Sequence, residues 1–277
     1  MIKKIINKFL TQTIYLYGLI NYHFFLKKKI NIKKYIFTIG APRSGTTLLG
    51  EILNSHPNIL ISNEVRVLNQ IFEKKYNFNK AIKISNINAY NEYLKIKKKN
   101  ITIQNKWKDL DFNKFFLKKN ITISGDKKSG GNSILYKKFE FKFEKFVKDN
   151  KNIYFLVIIR NPYDAAKSYL KSHRHETKNI RDAIKQIIER NSYAFKLKKK
   201  FSNRVKIIYY ENFLSNPQKS MISICRFLKI KTSQKWLNFL NLISNKNISY
   251  KINSINKLNY IRKIIDPKHI YYYKKYF

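Results

Sequence analysis

Residues 35–54 read YIFTIGAPRSGTTLLGEILN. Tyr35–Ile39 is a short continuous apolar run that ends in a glycine, the pattern of a strand buried on both faces in a parallel sheet. Gly40–Gly45 then reads as a loop. Thr46–Asn54 has helical spacing and is stopped by His56-Pro57. A strand, a glycine-bounded loop and a helix in immediate succession make an anion site. The glycines let backbone N–H groups converge, and the helix N-terminus adds positive potential.

The spacing Gly40-x4-Gly45 matches a Walker A loop, but Thr46 stands where that loop carries its lysine. In nucleotide kinases and ATPases the lysine and a magnesium ion serve a transferring phosphoryl group. Here Arg43 lies inside the loop instead, and no strand ending in a Walker B aspartate is evident. The chain has seven glycines, two of which bound this loop, and only nine of its 58 basic residues are arginine. A turn formed by chance is a poor account of so selective a stretch.

Outward from the loop, Ile59–Ile61 reads as a second strand and Ile121–Ser124 as a third. Ile153–Ile159 (IYFLVII) is a fourth, turned by Asn161-Pro162 into a helix over Asp164–Ser172. Residues 180–200 are helical, Val205–Tyr210 is a further strand, and Pro217–Leu228 opens a helix with proline in its first turn. Strands alternating with helices predict an α/β fold: a three-layer, P-loop-type parallel sheet flanked by helices. Residues 75–120, rich in Lys, Asn and aromatics, read as a helical insertion over the site. The expected organisation is an N-terminal segment, 1–34, followed by one domain, 35–277.

Arg160 ends the fourth strand, and Ser168 follows eight residues later in the next helix. A strand-end arginine and a hydroxyl on the first helical turns can converge on one phosphate, and the guanidinium fork suits phosphate oxygens. A surface salt bridge is the plainer role for Arg160, and an exposed helical serine for Ser168.

The run GAPRSGTTLLGEILNSHPNI (Gly40–Ile59) resembles the 5′-phosphosulfate loop of sulfotransferases that use 3′-phosphoadenosine 5′-phosphosulfate (PAPS). With NEVR at Asn63–Arg66 it is most similar to the branch that includes tyrosylprotein sulfotransferases. The resemblance covers roughly residues 35–230 and is strong in four patches. It implies a donor held by Pro42, Arg43, Ser44, Gly45, Thr46 and Thr47 at one end, and by Arg160 and Ser168 at its 3′-phosphate. It implies Glu64 as the general base and Arg66 as a residue orienting that base or the acceptor. Lys127, in SGDKKSGG, corresponds to the family lysine that stabilises charge in the transition state; Lys128 is its adjacent rival. Tyr210, in IIYYENF, resembles the tyrosine of a segment near the donor, although a core tyrosine fits equally. The family's Gly-rich C-terminal stretch is missing, since no glycine follows Gly131. Ser254, Lys257 and Arg262 are candidates to replace it.

The reaction implied moves a sulfuryl group from PAPS to an acceptor hydroxyl by in-line displacement. The acceptor class stays open among carbohydrate, tyrosyl peptide and other hydroxyls. Two other readings compete: a P-loop nucleotide kinase or NTPase, and a non-catalytic polyanion-binding protein. His56, before Pro57, reads as structural. His173 and His175 lack the spaced carboxylates and cysteines of a metal site, so no metal is expected.

Composition bounds the rest. At 277 residues, with 44% hydrophobic and 15% aromatic content, the chain can bury a full core and is not a disordered protein. A formal charge of +42 favours a polyanionic donor and nonspecific polyanion binding. The lone Cys225 forms no internal disulfide, which suits a cytoplasmic location. Residues 9–26 are apolar but interrupted by Thr11, Gln12, Thr13, Asn21 and His23, so they read as an amphipathic helix in peripheral contact with a membrane rather than a span.

Overall fold

The computed structural model describes residues 20, 30–99, 118, 120–172, 177, 179–244 and 261–276. Its elements run β1 (Ile30–Thr38), α1 (Thr46–Ser55), β2 (Ile59–Asn63), α2 (Val67–Phe72), α3 (Phe78–Lys99) and β3 (Ile121–Lys127). They continue with α4 (Ser129–Lys138), α5 (Glu140–Asp149), β4 (Ile153–Ile159), α6 (Pro162–Leu170), α7 (Ile180–Lys200) and β5 (Val205–Tyr209). Three helices, α8 (Tyr210–Ser215), α9 (Pro217–Leu228) and α10 (Gln234–Ser244), precede a 3-10 segment at Pro267–Tyr276. The strands form one five-stranded parallel sheet in the order β2-β3-β1-β4-β5, so the fold is the expected α/β sheet flanked by helices.

The chain divides into two compact units, one of residues 1–36 with 50–127 and the other of residues 37–49 with 128–277. In the first, β2 and β3 pair in register from Ile59–Ile123 to Asn63–Lys127. Leu60, Ala89, Tyr90 and Ile121 make a buried cluster, with Ile30 and Ile32 packed against it. The Asn54 side chain locks the end of α1 to β2, donating to Ile61 O at 2.8 Å and accepting from Ile61 N at 2.7 Å. Lys118, fully buried, donates to the carbonyls of Asn54, His56 and Ile59. His56 Nδ1 accepts from Asn58 N at 3.2 Å, a turn role.

In the second unit β4 pairs with β5 from Phe155–Val205 to Ile159–Tyr209. Aromatics fill its core: Phe155 lies 5.9 Å from both Phe37 and Phe143, and Tyr136 meets Phe143 edge-on at 5.2 Å. Asn161 caps α6, its side chain accepting from Tyr163 N and Asp164 N, with Pro162 opening the helix.

Several boundaries differ from the sequence reading: β2 runs on to Asn63, α6 spans Pro162–Leu170 rather than Asp164–Ser172, and Tyr210 opens α8 instead of ending β5. β1 begins at Ile30, five residues before the apolar run, because residues 30–34 alternate half-buried and exposed, the pattern of a strand half open to solvent. β3 runs on through Gly125 to Lys127. Gly125 is there for close approach rather than for a turn, since a Cβ would sit 2.5 Å from Ile36 O. Of the helical insertion read over 75–120, Phe78–Lys99 forms α3, while residues 100–117 and 119 lie outside the described residues. Residues 9–26, Ile20 apart, also lie outside them, as do His173, His175, Ser254 and Lys257. Among the described residues no helix is long and apolar enough to cross a membrane.

Candidate active site

The anion loop belongs to the second unit, and two side chains shape its first half. Gly40 N donates to Ser133 Oγ at 2.9 Å, and Ala41 N donates to Asn191 Oδ1 at 2.8 Å. Asn191 in turn donates to Tyr273 Oη at 3.0 Å, so the C-terminal 3-10 segment braces the loop through one buried amide. Those two backbone donors are thus committed to protein partners, and Pro42 has none to give. The loop then turns sharply: Gly40 has φ 124°, Arg43 φ 62° and Gly45 φ 90°. Ser44 is fully buried and its Oγ has no hydrogen-bond partner among the described residues. A buried hydroxyl left unpaired is costly, and this is one of five such side-chain atoms among the described residues.

Arg43 Nε donates to Ser168 Oγ at 3.2 Å. Arg160 Nη1 donates to Arg43 O at 3.0 Å, and its guanidinium lies 4.8 Å over the Tyr210 ring. Tyr210 opens α8, and its ring covers Gly45 so closely that a Cβ there would overlap it. Burial pushes the Tyr210 hydroxyl up, with Arg160 opposing the shift, so it stays a neutral donor. The loop, the strand-end arginine, the α6 serine and Tyr210 therefore form one contiguous group. Thr46 and Thr47, half-buried, open α1 beside it.

A second group lies in the first unit. Lys127 Nζ donates to Glu64 Oε1 at 3.3 Å; the lysine side chain is 8% exposed and the glutamate 49%. Glu64 N donates to Lys127 O at 3.1 Å, so the two residues are tied by backbone as well as side chain. Lys128 behaves differently: its N donates to Thr38 Oγ1 at 3.1 Å, and its stem packs against Gly131. Arg66, exposed at the start of α2, has φ 61°, and Glu64 has φ 60°. Among the described residues six non-glycines have positive φ, and three of them are Arg43, Glu64 and Arg66. Such backbone strain persists where surrounding structure enforces it, which is characteristic of functional sites.

Sequence reasoning missed Ser133, Asn191 and Asp126. The first two are polar residues inside otherwise unremarkable helices and carry no local pattern. Asp126 carried a faint one, as an acid beside the candidate lysine in a chain with 16 acidic residues. Among the described residues no three metal-ligating side chains gather into a group. Arg262, which does lie within the described residues, is exposed on the C-terminal segment.

The chain matches the model of the sulfotransferase family over residues 35–130 and 132–234. No curated protein sequence matches it. Among solved structures it is similar to the sulfotransferase STF9 of Mycobacterium avium, at 12% identity and a TM-score of 0.51, covering 95% of this chain and 81% of that one. It is also similar to the sulfotransferase domain from the curacin biosynthetic pathway, at 14% identity and a TM-score of 0.49, covering 85% and 97%. A third is the sulfotransferase of Alicyclobacillus acidocaldarius, at 15% identity and a TM-score of 0.46, covering 85% and 93%.

Proposed function

Because this chain belongs to the sulfotransferase family, we propose that it takes its sulfuryl group from PAPS and that Glu64 is its general base toward an acceptor hydroxyl. The acceptor oxygen attacks sulfur in line, the bond from sulfur to the phosphate oxygen breaks, and the acceptor proton passes to the Glu64 carboxylate. The products are a sulfated acceptor and 3′-phosphoadenosine 5′-phosphate (PAP). Backbone N–H groups from Arg43 to Thr47 and the unpaired Ser44 hydroxyl receive the 5′-phosphosulfate at the N-terminus of α1. Arg160 and Ser168 take the 3′-phosphate, and Tyr210 walls the loop. Arg43 and Lys127 supply the positive charge for the leaving oxygen that a metal supplies in kinases. Arg66 orients the base or the acceptor.

The observation that carries this reading is the hydrogen bond from Arg43 to Ser168, which makes the anion loop and the α6 serine neighbours in one phosphate-binding group. The kinase reading has no comparable support, because Thr46 replaces the Walker lysine. The charge of +42 supports two accessory proposals: nonspecific polyanion binding at low salt, and peripheral membrane contact through residues 9–26. We place the reaction in the cytoplasm, with the single Cys225 as the supporting feature.

The test is transfer of labelled sulfate from PAPS across tyrosyl peptides, carbohydrates and simple phenols, with Glu64→Gln as control. We expect transfer to one class, and its loss in Glu64→Gln with PAP binding kept. Undiminished transfer by the variant would remove Glu64 from the base role.

A further inference from the structure

Asp126 precedes Lys127 at the end of β3 and is 1% exposed. Its Oδ1 accepts from Ser62 Oγ at 2.9 Å and from Val65 N at 3.1 Å, and its Oδ2 accepts from Val67 N at 2.9 Å. These donors converge because Glu64 and Arg66 both hold φ near +60°, which curls the main chain into a concave nest of N–H groups. Neither residue is a glycine, so the curl is disfavoured by itself, and the hydrogen bonds to the Asp126 carboxylate at its centre offset that cost.

The carboxylate is itself anchored. Ser62 Oγ lies 2.7 Å from Ser85 Oγ, and Ser85 Oγ accepts from Tyr35 Oη at 2.8 Å. Ser62 also reaches Gly125 O at 3.1 Å. Tyr35, Ser85, Ser62 and Asp126 in this buried row all lie within the unit that carries Glu64 and Lys127. Burial raises the Asp126 carboxyl, and the hydrogen bonds from Val67, Ser62 and Val65 oppose that rise.

We infer that Asp126 is a positioning residue for sulfuryl transfer: its buried carboxylate holds the Glu64–Val67 main chain in the curled form that keeps the Glu64 side chain on Lys127. The inference rests on the reading of Glu64 as base. A merely structural aspartate that starts α2 would affect stability and donor binding together. A positioning aspartate affects turnover and leaves the donor site, which lies on other residues, intact.

The experiment compares Asp126→Asn and Ser62→Ala with the unaltered chain. It uses PAPS and the best acceptor from the panel, reading kcat, the KM for PAPS, the thermal shift given by PAP, and amide hydrogen exchange over residues 62–68. Asp126→Asn is expected to lower kcat by about 10- to 100-fold, the scale of an ångström-level misplacement. KM for PAPS and the PAP shift should stay within about twofold, and exchange at residues 62–68 should quicken. Ser62→Ala, which removes one donor and leaves the fold less challenged, should show the same split at about 2- to 5-fold. Unchanged kcat and exchange in both variants, or kcat and PAP binding falling together, would overturn the assignment. The base reading is judged separately by Glu64→Gln. Should that variant keep its turnover, quickened exchange at residues 62–68 in Asp126→Asn still supports the nest, and unaltered exchange rejects it.

Discussion

Arg43 Nε donates to Ser168 Oγ at 3.2 Å, joining the anion loop to helix α6 across 125 residues of sequence. Arg160 closes the same group by donating to Arg43 O. Arg160→Ala should therefore weaken PAP binding by about 2 kcal/mol, the scale of a charged hydrogen-bonded partner, and leave AMP binding little changed. Arg43→Ala and Ser168→Ala, sharing a bond, should combine less than additively. Calorimetric titration with PAP and with AMP checks both points. Equal losses for the two nucleotides would separate Arg160 and Ser168 from the 3′-phosphate.

Gly45 sets a steric condition on the same loop. Its φ of 90° disfavours any side chain, and a Cβ would run into the Tyr210 ring. Gly45→Ala should cost about 1–3 kcal/mol in urea unfolding, as overpacking and backbone strain together do. Trimming Tyr210 to leucine in the same chain should recover only the overpacking part. A loss below about 0.5 kcal/mol, the range of ordinary surface substitutions, would mean the loop relaxes freely.

The parts of this fold that were legible in sequence are those with chemical punctuation. The ends of β4 and the start of α9 fall where IYFLVII and Pro217 put them, because a β-branched apolar run closed by Asn161-Pro162 favours a buried strand and proline favours a first helical turn. The end of β3 was not legible, because the apolar alternation stops at Ser124, while Gly125 continues the strand through its close contact with Ile36 in space. The loop, Arg160 and Ser168 were readable through spacing. Their supports were not: Asn191 lies 150 residues from the Ala41 amide that it accepts from, and nothing in the α7 sequence singles it out.

Glu51 gives the molecule a pH dependence. On α1, burial first and then Glu92 push its carboxyl up from 4.5 to about 7, against the opposing charges of Lys127 and Lys118. Between those two values the folded chain binds a proton that the unfolded chain does not. Its contribution to stability is full below about pH 4.5 and is lost as pH rises through about 7. Glu51→Gln should abolish that slope. Relative to the unaltered chain the variant should gain about 1–3 kcal/mol between pH 5 and pH 7.5, read as a divergence of melting temperatures. Parallel melting curves across that window would show that Glu51 ionises normally.

Lys127 and Lys128 are adjacent in sequence and differ in surroundings. The Lys127 side chain is 8% exposed with its Nζ 3.3 Å from Glu64, whereas the Lys128 stem packs on Gly131. Lys127→Met should lower kcat by about 100-fold or more, the scale for losing one preorganised charge partner in a transition state. Lys128→Met should stay within about threefold. Lys127→Arg, which keeps the charge, should recover part of the loss seen in Lys127→Met. If Lys128→Met proves the more damaging variant, the cation serving the leaving oxygen is misassigned by one residue.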